Sequence, residues 1–202
     1  MTSAKKNYLN NIESIYELDN IYTFLENQVT AIDISVMLRA EYVLIVSALD
    51  NYIHEVVRNG LLERFENPSL SKGMGIISIP LNIVKLLLTE ANENQKKQIL
   101  NSEIKKITSK DSYQSPKGIE FALALIDIKG IWNSISDYML MKPNDIKDTL
   151  SLIVNRRNKI AHEADMDYLT LQKTPIDRET VIDCLGFIKK LVDSIDQLVI
   201  VL

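Results

Sequence analysis

Residues 144–162 read Asn-Asp-Ile-Lys-Asp-Thr-Leu-Ser-Leu-Ile-Val-Asn-Arg-Arg-Asn-Lys-Ile-Ala-His, and this stretch decides the fold class. Its apolar residues recur at helical spacing: on a wheel with roughly 100° per residue, five of them lie within about 80° of Ile146. They are Leu150, Ile153, Val154, Ile160 and Ala161. We therefore predict a helix that Asn144 caps, with Asp145 in its first turn.

Arg157 interrupts this apolar stripe. By the same arithmetic it lies at roughly 20° from Ile146, where packing alone would place an apolar side chain. A guanidinium keeps its proton, so a buried one must meet an anion or hydrogen-bond acceptors. The pattern therefore predicts that Arg157 has a polar partner or a ligand, five residues before one of the chain's two histidines.

The rest of the chain follows the same periodicity, with few glycines and prolines to interrupt it. We predict an all-α fold, an up-and-down helical bundle with extra short helices, in a single domain over residues 1–202. An N-terminal helix is expected over 7–28 and the bundle core over about 34–202. The expected later helices cover about 34–65, 80–91, 94–107, 118–128, 131–141 and the segment that Asp177 caps. Gly130 leaves open whether 118–141 forms two helices or one kinked helix, and breaks are expected at 66–69 and 73–75.

The amino-acid composition limits the classes of function that the chain can have. The chain has 202 residues, 46% of them apolar and 25% charged, and a net charge of −4, so it has no general attraction for nucleic acid. Any RNA contact must be local, and Arg156 and Lys159 are the candidate substrate-binding residues. No apolar run approaches the ~20 residues of a membrane span, the first residues are polar, and Cys184 is the single cysteine. These features predict a cytoplasmic protein without a disulfide or a membrane association.

The residue inventory predicts no cofactor and no metal, although the many carboxylates leave a two-metal site of Asp and Glu open, with no spacing that identifies one. Histidines and cysteine are too few and too dispersed for a zinc site, and no glycine-rich phosphate loop occurs. Arg157, Asn158 and His162 remain, and Asn158 and His162 share a helix face. A permanent cation, an orienting amide and a group that titrates near neutral pH suit metal-independent cleavage of RNA. One histidine cannot easily be both base and acid, so two copies of His162 in a symmetric dimer could divide the roles.

The motif resembles that of HEPN domains, in which four to six residues separate an arginine from a histidine and the first of these residues is polar. Arg157, Asn158 and His162 match it residue by residue. The surrounding segment 154–167, together with 38–53 and 113–117, is similar to the RiboL-PSP-type HEPN branch, so the resemblance spans roughly residue 34 to the end.

This resemblance implies a helical bundle that dimerises with its motif helices facing each other. It implies a metal-independent endoribonuclease, often in toxin–antitoxin or antiphage systems, with Arg157 and His162 catalytic and Asn158 supporting them. RNA and a second copy of the chain are the expected partners, and an antitoxin protein is a further candidate. HEPN toxins that are regulated by adenylylation carry a tyrosine two residues after the histidine, and Ala164 stands there instead.

Other interpretations remain open. Arg157 could extend to solvent while His162 benefits from the helix C-terminus, and Arg156 is a rival for the motif arginine. Asp50 and His54 could form a second functional pair, although a solvated helix face explains them as well. Arg39 could pair with a carboxylate, and Cys184 is expected to pack as a small apolar residue. The alternative function is a catalytically silent HEPN-like module that binds RNA or a partner protein.

Overall fold

A computed structural model describes residues 1–28, 32–67 and 77–201, with the side chain of residue 201 excepted. Over these ranges the chain forms eight helices and one two-stranded hairpin, which confirms the predicted all-α fold. The helices are α1 (Ser3–Glu26), α2 (Ser35–Glu66), α3 (Leu81–Thr89), α4 (Glu93–Thr108), α5 (Pro116–Ala124), α6 (Ile131–Met139), α7 (Pro143–His162) and α8 (Arg178–Val201). None of the helices in these ranges combines the length and the apolar character that a membrane span requires.

Two helix starts differ from the sequence prediction. Helix α1 begins at Ser3 rather than residue 7, because the Thr2 hydroxyl caps it by accepting the Lys5 N–H at 3.1 Å. Helix α7 begins at Pro143, so the prediction of Asn144 as its cap was wrong. Proline suits the first helical position, where its missing N–H would have had no partner inside the helix.

Helix α5 also departs from its predicted range of 118–128: it runs from Pro116 to Ala124, and the Ser115 hydroxyl caps it by accepting the Gly118 N–H at 3.0 Å. Several other boundaries agree more closely with the sequence. Asp177 caps α8 as predicted, accepting the Thr180 N–H at 2.8 Å. Helices α5 and α6 are separate, and Gly130 between them has a positive φ of 66° that few other residues adopt readily. Helix α2 ends at Glu66, where the first break was expected. Residues 68–69 of that break and the whole of the second, 73–75, lie outside the described residues.

The chain divides into two compact units, and helix α2 contributes to both. The first comprises residues 1–52 and 132–202, and the second residues 53–131. In the first unit α1 and α8 run antiparallel. Lys5, at the start of α1, pairs with Asp193 near the end of α8, and Asp19 pairs with Arg178 at the start of α8. The expectation of a single domain stays a prediction.

Buried apolar side chains from α1, α2, α7 and α8 form the core of the first unit. They include Tyr8, Ile12, Ile45, Leu49, Ile146, Leu150, Ile188, Leu191 and Ile195. The stripe that the sequence assigned to α7 therefore supplies core residues over the first part of that helix. In the second unit α2 lies close to the residues after α5. A Cβ added to Gly60 would lie only 2.8 Å from Ile126 Cγ2.

A short antiparallel hairpin follows helix α7, in a segment that lies between two predicted helices. Met166–Asp167 pairs with Gln172–Lys173. The carboxylate of Asp167 organises the turn by accepting the N–H groups of Leu169 and Thr170, at 2.8 and 3.0 Å. This hairpin fixes the direction in which the chain leaves α7.

Candidate functional site at the end of helix α7

The apolar stripe of α7 is buried only in part. Ile146 and Leu150 are fully buried, and Ile153 and Val154 nearly so. Ile160 is half-buried and Ala161 is exposed, although both lie on the same stripe. Over the last two turns of the helix, the described residues therefore cover the apolar stripe only in part.

Arg157 lies at the point where this face opens. Its side chain is half-buried, and Nη1 donates a hydrogen bond to Asn158 Oδ1 at 3.1 Å. Its Nε is buried and has no hydrogen-bond partner among the described residues. The structure thus brings Arg157 and Asn158 together, as the motif predicts, but an amide oxygen does not neutralise the guanidinium. A buried donor without an acceptor costs free energy of about 1–3 kcal/mol, which an anionic ligand at this position would offset.

His162 is the last residue of α7 and is exposed. It lies four residues beyond Asn158 and therefore on the same side of the helix. No hydrogen bond joins these two described side chains. The imidazole is accessible to a ligand at the helix end and makes no hydrogen bond that would hold it in one orientation.

Arg156 has a different environment from its neighbour. Its Nη1 lies 2.8 Å from Oδ1 of Asp165, and Nη2 donates to Asp165 Oδ2 at 3.0 Å. The same Nη2 lies within hydrogen-bonding distance of the carbonyl oxygens of Thr174 and Pro175. These contacts give the guanidinium of Arg156 hydrogen-bond acceptors and a counter-charge within the chain. The assignment of Arg156 to substrate binding stays a prediction.

Asp165 is the functional-site residue that the sequence reasoning missed. Its carboxylate is fully buried and also accepts a hydrogen bond from Arg39 Nε at 2.7 Å. Arg39 extends the network by donating to Thr174 O at 2.8 Å and to the hydroxyl of Ser35 at 2.7 Å. The idea that Arg39 pairs with a carboxylate is therefore confirmed. The only signal in the sequence was an acidic residue shortly after the motif, which does not identify its partners.

The backbone after α7 turns sharply to place this carboxylate. Ala164 and Asp165 have positive φ angles of 50° and 59°, and the Asp165 N–H donates to the Lys159 carbonyl at 3.0 Å. The Lys159 side chain is exposed beside the helix end. Aspartate tolerates this left-handed conformation better than alanine does. Ala164, which stands where adenylylated HEPN toxins carry tyrosine, thus has a strained backbone conformation at the start of this turn.

The remaining candidates lie away from this site in the sequence. The ring of His54 lies against that of Tyr113 in the second unit, with centroids 4.4 Å apart. Cys184 is buried, as predicted for a packed apolar residue, and burial raises the pKa of its thiol to about 12. Within the described ranges no three His, Cys, Asp or Glu side chains converge as metal ligands.

Comparison with known proteins gives one match. The family model RiboL-PSP-HEPN matches residues 6–200, nearly the whole chain. No curated protein and no solved structure shows significant similarity to it. The match covers α7 together with the motif at its end.

Proposed function

The chain belongs to the RiboL-PSP-HEPN family, and from that premise we propose that it is a metal-independent endoribonuclease acting as a toxin or defence effector. Arg157 and His162 are its catalytic residues and Asn158 supports them. Arg156 and Lys159 contribute positive charge beside the site. The family supports an RNase-like helical module, and the cleavage activity is our proposal.

The environment of Arg157 carries the proposal. Two arginines adjoin in the sequence, yet only Arg156 has a carboxylate partner. The side chain of Arg157 is half-buried and donates one hydrogen bond, to the amide of Asn158. Its Nε has no hydrogen-bond partner among the described residues. A guanidinium in this state favours an anion with several acceptor oxygens, and a phosphodiester provides them. The net charge of −4 makes such a local cation the more important for holding RNA.

The chemistry follows from these groups. A base removes the proton of the ribose 2′-hydroxyl, and the 2′-oxygen attacks the adjacent phosphorus. The bond from phosphorus to the 5′-oxygen breaks, an acid protonates that oxygen, and the products carry a 2′,3′-cyclic phosphate and a 5′-hydroxyl. Arg157 stabilises the charge that develops on the non-bridging oxygens, and Asn158 orients its guanidinium. Two His162 imidazoles, one from each subunit, supply the base and the acid.

A dimer fits the uncovered face of α7. Ile160 and Ala161 extend the buried stripe of this helix but are not buried within the chain. Packing these faces against each other would remove apolar surface from water and bring two motifs together. The catalytic site would then exist only in the dimer.

Cleavage of RNA by the purified chain in the presence of EDTA tests the activity. We expect products with cyclic phosphate ends, and we expect His162→Ala and Arg157→Ala to abolish both cleavage and growth inhibition without unfolding the protein. Asn155→Ala is the matched control, because Asn155 is exposed on the same helix. Full activity of the His162→Ala protein would refute the assignment. Intact RNA with retained binding would favour the silent RNA-binding module instead.

The dimer is tested separately with Ile160→Asp. We expect this substitution to produce a folded monomer by light scattering and to abolish cleavage. Leu152→Asp is the control, because Leu152 is 70% exposed and lies on another side of α7. A fully active Ile160→Asp monomer would show that one subunit suffices.

A further inference from the structure

A cavity in the first unit lies between α1, α2 and α8. Its volume is about 310 Å³, within the range of small-molecule sites. Apolar side chains form much of its wall, among them Ile15, Val181 and Leu185. Its polar side chains are Tyr16, Asp19, Glu41, Arg178 and Lys189.

Glu41 is the first of these groups. It lines the cavity from α2, and only 1% of the residue is exposed. Its Oε1 is buried without a hydrogen-bond partner. Burial, and then the charge of Asp19, raise the pKa of this carboxyl to about 7. A buried acceptor in this state is costly unless a donor reaches it.

The neighbouring charges do not provide that donor. Arg178 donates two hydrogen bonds of 2.8 Å to Asp19, one from Nε and one from Nη2, so this pair is neutral as a unit. Lys189 donates to the hydroxyl of Tyr16 at 3.0 Å. Neither lining cation forms an ion pair with Glu41 in the part of the chain that the structure describes, so its carboxylate has no partner of its own when it ionises.

Gly186 keeps the cavity open on the α8 side. It lies in the interior of a helix, where glycine is less favourable than alanine by roughly 1 kcal/mol. A Cβ built there would meet nothing within 4 Å, so close packing does not require the glycine. Gly186 is exposed at the cavity, so a larger side chain there has room to occupy part of the space.

We propose that this cavity binds a small organic molecule with a protonated primary amine on an apolar body. The amine donates to Glu41 Oε1 and forms the ion pair that this buried carboxylate lacks among the described residues. The apolar body lies against Ile15, Val181 and Leu185. The site is independent of the motif at the end of α7 and does not require RNA cleavage.

Benzylamine is a suitable probe, with benzyl alcohol as a neutral molecule of nearly the same shape. Both are titrated into the isotope-labelled full chain and followed by chemical shifts, at about pH 8, where Glu41 is ionised. We expect saturable binding of benzylamine in roughly the millimolar range and binding of the alcohol about tenfold weaker or more. Equal affinities, or no saturable binding of the amine, would overturn the proposal.

Two variants locate the binding. Glu41→Gln should weaken benzylamine binding by about tenfold or more, while Glu17→Gln, an exposed acid on α1, should leave it unchanged. Gly186→Leu should fill part of the cavity and weaken binding without loss of folding. Unchanged affinity in either Glu41→Gln or Gly186→Leu would place the amine elsewhere and contradict the assignment.

Discussion

Removing the Asp165 carboxylate is the perturbation that most directly tests the structure at the end of α7. In Asp165→Asn the side chain keeps its shape but loses its charge. The native carboxylate meets Arg39 Nε at 2.7 Å and Arg156 Nη1 at 2.8 Å, and its second contact with Arg156 is 3.0 Å. The carboxylate is fully buried, and the side chains of Arg39 and Arg156 are only 9% and 18% exposed.

The magnitude follows from what remains after the substitution. Asparagine retains one acceptor oxygen but turns an NH₂ group toward a guanidinium, so at least one contact becomes donor against donor. Two poorly solvated cations are then left without a counter-charge. Breaking a buried ion pair from one side costs about 3–5 kcal/mol. The remaining exposure of Arg156 and the retained amide acceptor favour the lower part of that range.

Urea unfolding measures this effect. With a slope of roughly 2–3 kcal/mol per molar, we expect the midpoint to fall by about 1–2 M. Asp183→Asn is the control, since Asp183 is an exposed acid on α8, and its substitution should cost less than about 1 kcal/mol. A change below about 1 kcal/mol in Asp165→Asn, equal to the control, would refute the argument that this carboxylate holds the two arginines.

Three further outcomes are expected in urea titrations. Burial raises the pKa of Glu41 from its ordinary value of 4.5 to about 7, so the folded chain retains a proton that the unfolded chain has released. Stability should therefore fall by up to roughly 3 kcal/mol as pH rises through this window, and Glu41→Gln should flatten that dependence. Ala164→Gly should stabilise the chain by about 1 kcal/mol, because glycine adopts the positive φ of 50° without strain, and a loss would contradict this. Gly60→Ala should destabilise the chain by about 1–2 kcal/mol, since its Cβ would meet Ile126 at 2.8 Å. Gly186→Ala should stabilise it by about 0.5–1 kcal/mol. If both substitutions changed the free energy of unfolding in the same direction, local packing would not govern the two sites.

The parts of the fold that the sequence predicts depend on local periodicity. Helix α8 follows from its apolar repeat and from Asp177, whose cap involves the N–H only three residues later. The Arg157–Asn158 contact is likewise local, because the two residues adjoin on α7. Information of this kind is present in any short window of the sequence.

The parts that it does not predict depend on contacts between distant segments. Arg39 and Asp165 are 126 residues apart, and no periodicity relates α2 to the turn after α7. Glu41 is a similar case: it lies on a helix with an evident apolar face, but its burial depends on α1 and α8. Long-range pairing of charges is set by the packed structure, so it becomes visible only when the helices are placed.

The environments of the two adjacent arginines depend both on local periodicity and on contacts between distant segments. The wheel of α7 places Arg157 on the apolar stripe and Arg156 at its edge, which identifies the unusual residue but not its counter-charge. In the packed structure Arg156 forms an ion pair with the buried carboxylate of Asp165, and the Nε of Arg157 has no acceptor among the described residues. Because Arg156 has that partner, its truncation should lower stability by more than about 2 kcal/mol whether or not RNA is bound. Truncation of Arg157 should leave unfolding almost unchanged and remove cleavage, since its missing partner is the substrate phosphate. If both truncations lowered stability equally, the division between a structural and a catalytic arginine would be wrong.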